Sequence, residues 1–128
     1  MKLLLDTHVF LWLNSDVEKL SPTVQSLLLS GEHEFYLSMA SAWEMQIKSQ
    51  LGKLTLAMPI KELIQLNQQE NNIRLLPIDL AHISYLDQLP PHHKDPFDRL
   101  IIAQAVKEEM TIVSVDALFS GYPVRVVW

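Results

Sequence analysis

Two carboxylates stand at the start of an apolar stretch near the end of the chain, in the run Asp95-Pro96-Phe97-Asp98. The residues that follow are almost wholly apolar, and the whole segment predicts a helix. Helical spacing places Ile102 and Ala105 on the face of Asp98, so this acid begins a stripe that should turn inward. A carboxylate at the edge of an apolar surface is costly unless a partner holds it charged. Asp98 is therefore a candidate for chemistry.

Three more acids stand where a parallel sheet would bring them to the same place: Asp6, Glu44 and Asp116. Asp6 and Asp116 each follow a strand-like run, and parallel sheets bind ligands at the carboxyl ends of their strands. Four clustered carboxylates repel one another, and a divalent cation is the simplest remedy. The four acids therefore predict a metal-dependent site.

Each acid also has an ordinary structural explanation. Asp95 is a good helix N-cap, and Glu44 lies four residues before Lys48, the favourable order for an exposed helical ion pair. Asp6 could cap the next helix, and Asp116 could form a turn with its own backbone. These explanations do not account together for acids repeated at strand ends and helix starts of one sheet, which favours a shared site.

The composition describes one globular domain spanning residues 1–128. Hydrophobic residues make up 48% of the chain and charged residues 20%, and cysteine is absent, which excludes disulfides, thiolate ligands and a cysteine nucleophile. The net charge of -5 argues against broad nucleic-acid binding, although it allows a local basic rim around an acidic centre. The apolar runs are too short for a membrane span and no signal peptide is recognised, so a cytoplasmic protein is expected.

Strand-like and helix-like runs alternate along the chain. Strands are predicted at 2–5, 35–37, 73–76, 111–115 and 124–127, and helices at 8–13, 22–30, 39–51, 59–69, 80–89 and 96–109. This alternation predicts an α/β fold of three layers, in which a mostly parallel sheet of four to five strands has helices on both faces.

Other polar residues give weaker signals. Thr7 and Ser114 stand beside acidic positions, where a hydroxyl can orient a carboxylate or a water, and Ser41 lies one turn before Glu44. The adjacent pair His92-His93 lacks the spacing of a zinc motif and is predicted to lie in a solvated loop. Packing or surface roles are assigned to His8 and His82, and core positions to Trp12, Trp43 and Phe97. The alternative for one of the tryptophans is a partly exposed position beneath a partner.

With its four acids in this order, the chain resembles the PIN-domain family, and specifically VapC-type ribonuclease toxins of toxin–antitoxin pairs. The resemblance runs essentially the whole length, and the segment around Asp98 is its most specific part. Four segments carry it: Leu3-Leu4-Leu5-Asp6-Thr7-His8, Ser41-Ala42-Trp43-Glu44-Met45-Gln46-Ile47-Lys48, His93-Lys94-Asp95-Pro96-Phe97-Asp98-Arg99-Leu100-Ile101-Ile102-Ala103-Gln104-Ala105 and Ile112-Val113-Ser114-Val115-Asp116-Ala117-Leu118-Phe119.

The resemblance implies a PIN-like fold, bound Mg²⁺ or Mn²⁺, and endonucleolytic cleavage of RNA by the four acids. Asp6 and Asp98 are expected to be the nearest metal ligands, with Glu44 and Asp116 bound directly or through water. Glu44 or Asp116 is the expected proton acceptor. Accessory roles fall on Thr7, Ser114, Asp95 and Arg99, and RNA contacts on Lys48, Lys94, Arg99, His92 and His93.

The same resemblance implies partners. An antitoxin should dock on the protein, cover its cleft and inhibit it, and the toxin should form a homodimer that can be doubled again in the complex. A housekeeping nuclease of the same fold, without a toxin role, remains an alternative.

Three other functions are weighed against the nuclease. A phosphohydrolase with Asp6 as nucleophile needs a second acid where His8 stands, and a receiver domain needs an acidic pair and a late lysine that the chain lacks. A non-catalytic module that binds protein or RNA has no need of four clustered carboxylates.

Overall fold

A five-stranded parallel sheet forms the centre of the computed structural model, which describes residues 1–128. The strands follow one another in the order β3-β2-β1-β4-β5, and each neighbouring pair runs parallel. Because all strands point the same way, their carboxyl ends meet at one edge of the sheet. The strands are β1 (Lys2–Leu5), β2 (Glu34–Ser38), β3 (Ile73–Leu76), β4 (Thr111–Val113) and β5 (Val126–Val127).

Six α-helices connect and cover the strands, and the predicted α/β fold is confirmed. Short 3₁₀ helices span Val17–Lys19, Leu86–Gln88 and Ala117–Gly121. None of the α-helices combines the length and the apolar character that crossing a membrane requires. The helices are α1 (Thr7–Ser15), α2 (Pro22–Leu29), α3 (Met39–Gln50), α4 (Ile60–Glu70), α5 (Leu80–Tyr85) and α6 (Pro96–Glu108).

The central strand β1 contributes to a separate core on each face of the sheet. Leu3 and Leu5 pack into a cluster that includes residues of α1, α2 and α4, whereas Leu4 packs into a cluster that includes four residues of α6. This alternation follows from the two-residue period of a strand. All three leucines are completely buried, so the next residue, Asp6, emerges at the boundary between the core and the carboxyl edge of the sheet.

The last two strands are shorter than predicted. β4 ends at Val113 and not at position 115, because the Asp116 amide donates to the Ser114 hydroxyl at 3.0 Å and not to a neighbouring strand. β5 begins at Val126 and not at position 124, because the amide of Val124 is used in a tight turn.

The helix expected to reach Pro90 ends early. α5 stops at Tyr85 and continues as the 3₁₀ helix Leu86–Gln88. Leu89 is extended, the conformation that a following proline favours.

Candidate active site

An open cavity of about 390 Å³ lies at the carboxyl edge of the sheet, and four of its lining residues are the predicted acids. Asp6 follows β1, Glu44 lies on α3, Asp98 lies in the first turn of α6, and Asp116 follows β4. Pairing of β1 with β4 brings Asp6 and Asp116 to this edge, and the helices α3 and α6 bring Glu44 and Asp98 to it. The cavity is also lined by His8, Trp12, Lys48, Asp95 and Val115.

Asp6 and Asp116 are linked through the hydroxyl of Ser114. Ser114 Oγ donates to Asp6 Oδ2 at 2.8 Å and accepts from the Asp116 amide at 3.0 Å. Burial raises the pKa of Asp6 above its ordinary value, and the Ser114 hydrogen bond only partly offsets this. The structure therefore gives Ser114 the carboxylate-orienting position expected of it.

Glu44 is almost completely buried, which contradicts the exposed ion pair considered for it. Lys48 Nζ donates to Glu44 Oε2 at 2.7 Å, and this bond raises the pKa of Lys48. The Thr7 hydroxyl lies 2.8 Å from both Glu44 Oε1 and Ser41 Oγ. Because a carboxylate only accepts, Thr7 donates to Glu44 and accepts from Ser41. Each oxygen of the buried Glu44 carboxylate therefore has a hydrogen-bond partner in the protein.

Asp98 differs from the other three acids because no protein group donates a hydrogen bond to its carboxylate. Asp95 caps the start of α6 and so fixes where Asp98 lies. The Oδ1 atom of Asp95 accepts hydrogen bonds from the amides of Phe97 and Asp98 at 2.8 and 3.3 Å. Burial, followed by the negative charges of Asp95 and Asp6, raises the pKa of Asp98 to about 7. Asp98 is thus a carboxylate held close to other negative charges, and nearby His93 offsets their effect only in part.

Asp116 is held by two donors from the protein. Its Oδ1 accepts from the Leu118 amide at 2.9 Å, and its Oδ2 lies 3.2 Å from His93 Nε2. The prediction that His93 lies in a solvated loop is wrong, because its ring packs against Phe119 and Tyr122 and is buried. Sequence gave no signal for this contact, since His93 precedes Asp116 by 23 residues and Tyr122 by 29.

The predicted RNA contacts occupy different environments. Lys94 and His92 are exposed, and Lys48 is partly exposed on the cavity wall. His93 is buried and therefore cannot present its ring to RNA at the surface. Arg99 donates to the carbonyl oxygens of Pro90 and Leu86, so its guanidinium anchors the preceding loop and does not line the cavity.

The aromatic residues divide between core and surface. Trp43 was predicted to be core but is 60% exposed, with its ring edge-on to Phe97 at 5.3 Å. Its position on α3, beside the buried Ala42 and Glu44, points it outward. Trp12 is partly buried, packs against Trp128 and lines the acidic cavity, a contact the sequence reasoning missed.

The residues around the cavity fit a divalent cation such as Mg²⁺ or Mn²⁺. The donors are carboxylate oxygens, which these ions prefer, and the raised pKa of Asp6 and Asp98 reports negative charge that lacks compensation. Oxygens of Asp98 and Asp116 and a ring nitrogen of His93 all lie within 4.8 Å of one another. Asp6 and Asp98 remain the predicted nearest ligands.

A second group of possible ligands, Asp79, His82 and Glu108, is better explained as a helix cap. His82 Nδ1 accepts from the Asp79 amide at 3.0 Å, so its proton resides on Nε2 and is donated to Glu108 at 3.0 Å. Both ring nitrogens are therefore engaged without a metal. His82 is completely buried, in keeping with the predicted packing role.

The fold and the cavity define an α/β protein with an acidic, oxygen-lined site at the carboxyl edge of a parallel sheet. A family model for the PIN domain matches residues 3–124. The chain therefore belongs to the PIN domain family.

Solved structures show the same fold at low sequence identity. VapBC2 from Rickettsia felis, bound to a DNA fragment from its promoter, matches with a TM-score of 0.75 and 16% identity over 99% of this chain and 98% of that one. DNA-bound VapBC from Salmonella typhimurium matches with a TM-score of 0.67 and 14% identity, over 99% of this chain and 97% of that one. FitAcB from Neisseria gonorrhoeae matches with a TM-score of 0.63 and 19% identity, over 98% of this chain and 96% of that one. No curated protein sequence matches the chain.

Proposed function

We propose that the protein is an endoribonuclease that depends on Mg²⁺ or Mn²⁺ and acts as the toxin of a toxin–antitoxin pair. The observation that carries this proposal is the convergence of Asp6, Glu44, Asp98 and Asp116, from four separate segments, on one open cavity. Membership of the PIN domain family supports it, because the matched residues 3–124 include all four acids.

Asp6 and Asp98 would hold the cation, with Glu44 and Asp116 contributing directly or through water. When bound, a divalent cation supplies charge stabilisation for a phosphodiester under attack and makes a water more acidic. The side chains supply the rest. Lys48 and Thr7 donate hydrogen bonds to Glu44, Ser114 orients Asp6, and Glu44 or Asp116 would accept the proton of the attacking water.

The RNA would be held by cations around the acidic centre. Lys48 on the cavity wall and the exposed Lys94 and His92 are the proposed backbone contacts, and binding through them would weaken as salt rises. A single-stranded or looped substrate suits an open cavity, because its phosphates can reach the carboxylates without a duplex in the way.

A protein antitoxin is the proposed regulator. The solved VapBC complexes support it, since each shares this fold over nearly the whole chain. The antitoxin would cover the cavity, and the toxin would form a homodimer that can be doubled again in the complex.

RNA cleavage by partner-free protein tests the proposal. Cleavage should require Mg²⁺ or Mn²⁺, stop with chelator, and fall by at least about 100-fold in Asp6→Asn, a substitution that keeps an acceptor for Ser114. Glu18→Gln is the matched control, because this acid is exposed and lies outside the cavity. Chelator-resistant cleavage, or equal losses in both variants, would contradict the assigned site.

The toxin role has a separate test. Expression of the active enzyme should arrest growth, and co-expression of the neighbouring antitoxin should relieve the arrest. Harmless expression of an enzyme that cleaves RNA in vitro would favour a nuclease without a toxin role. Metal binding without any cleavage would favour a binding module.

A further inference from the structure

We propose that His93 is a positioning residue, held in a single tautomer by Tyr122, that orients the Asp116 carboxylate toward the cavity. The inference rests on the proposed function in one respect, namely that Asp116 belongs to the working site. Otherwise it depends only on contacts within the chain, so it can be tested without RNA.

Packing leaves His93 almost no freedom. Its ring stacks on Phe119 with ring centres 4.9 Å apart and planes 28° apart, and it lies 5.4 Å from the Tyr122 ring at 30°. The residue is 7% exposed, and Tyr122 and Phe119 are buried more completely still. The direction in which Nε2 points is therefore set by the packing.

The hydrogen bonds around Tyr122 decide which ring nitrogen carries the proton. The phenol oxygen accepts from the His93 amide at 2.7 Å and lies 3.1 Å from His93 Nδ1. Because Tyr122 is buried, its own proton needs a protein acceptor, and Nδ1 is the acceptor within reach. Nδ1 thus acts as an acceptor, which leaves Nε2 as the ring nitrogen that donates.

This tautomer makes Nε2 a donor to Asp116. The N–H group lies 3.2 Å from Oδ2, while the Leu118 amide donates to Oδ1, so both oxygens of the carboxylate are tied to the protein. Carboxylates tied in this way lose rotational freedom and present their remaining lone pairs in one direction. For Asp116 that direction is the cavity, which it lines together with Asp98.

The same chain of bonds argues against His93 as a metal ligand. A ligand role at Nε2 would require the proton to sit on Nδ1, and Tyr122 would then lose its acceptor. His93 is better described as acting through Asp116, even though a ring nitrogen of His93 lies within 4.8 Å of oxygens of both Asp98 and Asp116.

Three variants separate these roles. His93→Phe keeps an aromatic ring against Phe119 and Tyr122 but removes the donor. His93→Gln keeps an N–H donor that can reach Asp116. Tyr122→Phe keeps the ring of residue 122 but removes the hydroxyl that holds the tautomer.

The first measurement is the protonation of the His93 ring in metal-free protein, read from nitrogen NMR shifts. We expect the Nε2–H form alone in the wild type and a mixture of tautomers in Tyr122→Phe. A wild-type ring with its proton on Nδ1 would overturn the proposal. Because this measurement does not involve RNA cleavage, it tests the role of His93 independently of the proposed nuclease function.

The second measurement is Mn²⁺ affinity, followed by calorimetry, with kcat and KM for RNA as a companion. His93→Phe should lose about 10–100-fold in Mn²⁺ affinity or in kcat with KM little changed, and His93→Gln should recover most of that loss. A wild-type-like His93→Phe would overturn the proposal. So would a folded His93→Gln as impaired as His93→Phe, because that result would assign the ring to metal ligation.

Discussion

Among the acids of the cavity, Asp98 has the pKa that burial and neighbouring charges raise furthest. Its pKa of about 7, compared with an ordinary 3.8, arises from burial and from the charges of Asp95 and Asp6. In metal-free protein between about pH 4 and pH 7, the Asp98 carboxyl group keeps its proton in the folded state but loses it in the unfolded chain. The free energy of unfolding should therefore fall as pH rises from about 4 through about 7.

Asp98→Asn should remove the part of this pH dependence that comes from Asp98, leaving the part that comes from the raised pKa of Asp6. We expect metal-free Asp98→Asn to be more stable than the wild type at pH 8 by on the order of 1 kcal/mol, a value discounted for the partial exposure of Asp98. Near pH 4 the two proteins should be alike. Urea denaturation with chelator at both pH values measures the difference, and a variant less stable at pH 8 would contradict the electrostatic account. The variant should also lose cleavage.

Lys48 stabilises the fold through Glu44. Lys48→Met keeps much of the side-chain volume but leaves a buried carboxylate without its cation. We expect a loss of about 2 kcal/mol, less than for a fully buried pair because Lys48 is partly exposed. Urea denaturation in the absence of metal measures it.

Lys94→Met provides the matched control for that substitution. Lys94 is exposed and makes no ion pair, so its replacement should change stability by less than about 0.5 kcal/mol. Equal effects of the two substitutions would mean that the loss at Lys48 reflects overall charge and not the bond to Glu44.

At the scale of elements, the start of α6 joins helix capping to site chemistry. Asp95→Asn should keep the cap while removing a charge near Asp98, so the pKa of Asp98 should fall. Asp95→Ala should remove both and cost about 1 kcal/mol of stability. Carbon NMR of the Asp98 carboxyl group follows its titration, and an unchanged pKa in Asp95→Asn would contradict the charge effect.

Elements were predictable where the signals are local. Ser21 before Pro22 marks the start of α2, and its hydroxyl accepts from the Val24 amide as an N-cap. Asp95 before Pro96 marks α6 in the same way. The exposure of Trp43 was not predictable, because an apolar residue on a helix looks the same in sequence whether its face meets the core or solvent.

For the whole molecule, the cavity predicts coupling between metal and stability. A cation that binds only the folded state adds about 2.7 kcal/mol to the free energy of unfolding at 100 times its dissociation constant. Mn²⁺ should therefore raise the melting temperature of the wild type and of Glu18→Gln, but much less that of Asp6→Asn. Calorimetric melting with and without chelator measures this, and equal shifts in all three would indicate binding elsewhere.

The meeting of the four acids was predictable because a parallel sheet gathers its carboxyl ends at one edge. Their detailed environments were not. The burial of His93 depends on Phe119 and Tyr122, and the bond between Ser114 and Asp6 joins residues 108 apart in the chain. Such contacts arise only once the sheet and both helical layers have packed.

The tryptophan in the cavity wall gives the site an optical probe. Trp12 lines the cavity and packs against Trp128 at 5.9 Å, whereas Trp43 lies outside the cavity lining and is exposed. Paramagnetic Mn²⁺ quenches nearby indole fluorescence, and diamagnetic Mg²⁺ does not. Mn²⁺ should therefore dim the short-wavelength emission of Trp12 while the red-shifted emission of Trp43 changes little, and added Mg²⁺ should restore the lost intensity. Occupancy of the acidic cavity can then be read in unlabelled protein, before any substrate is known.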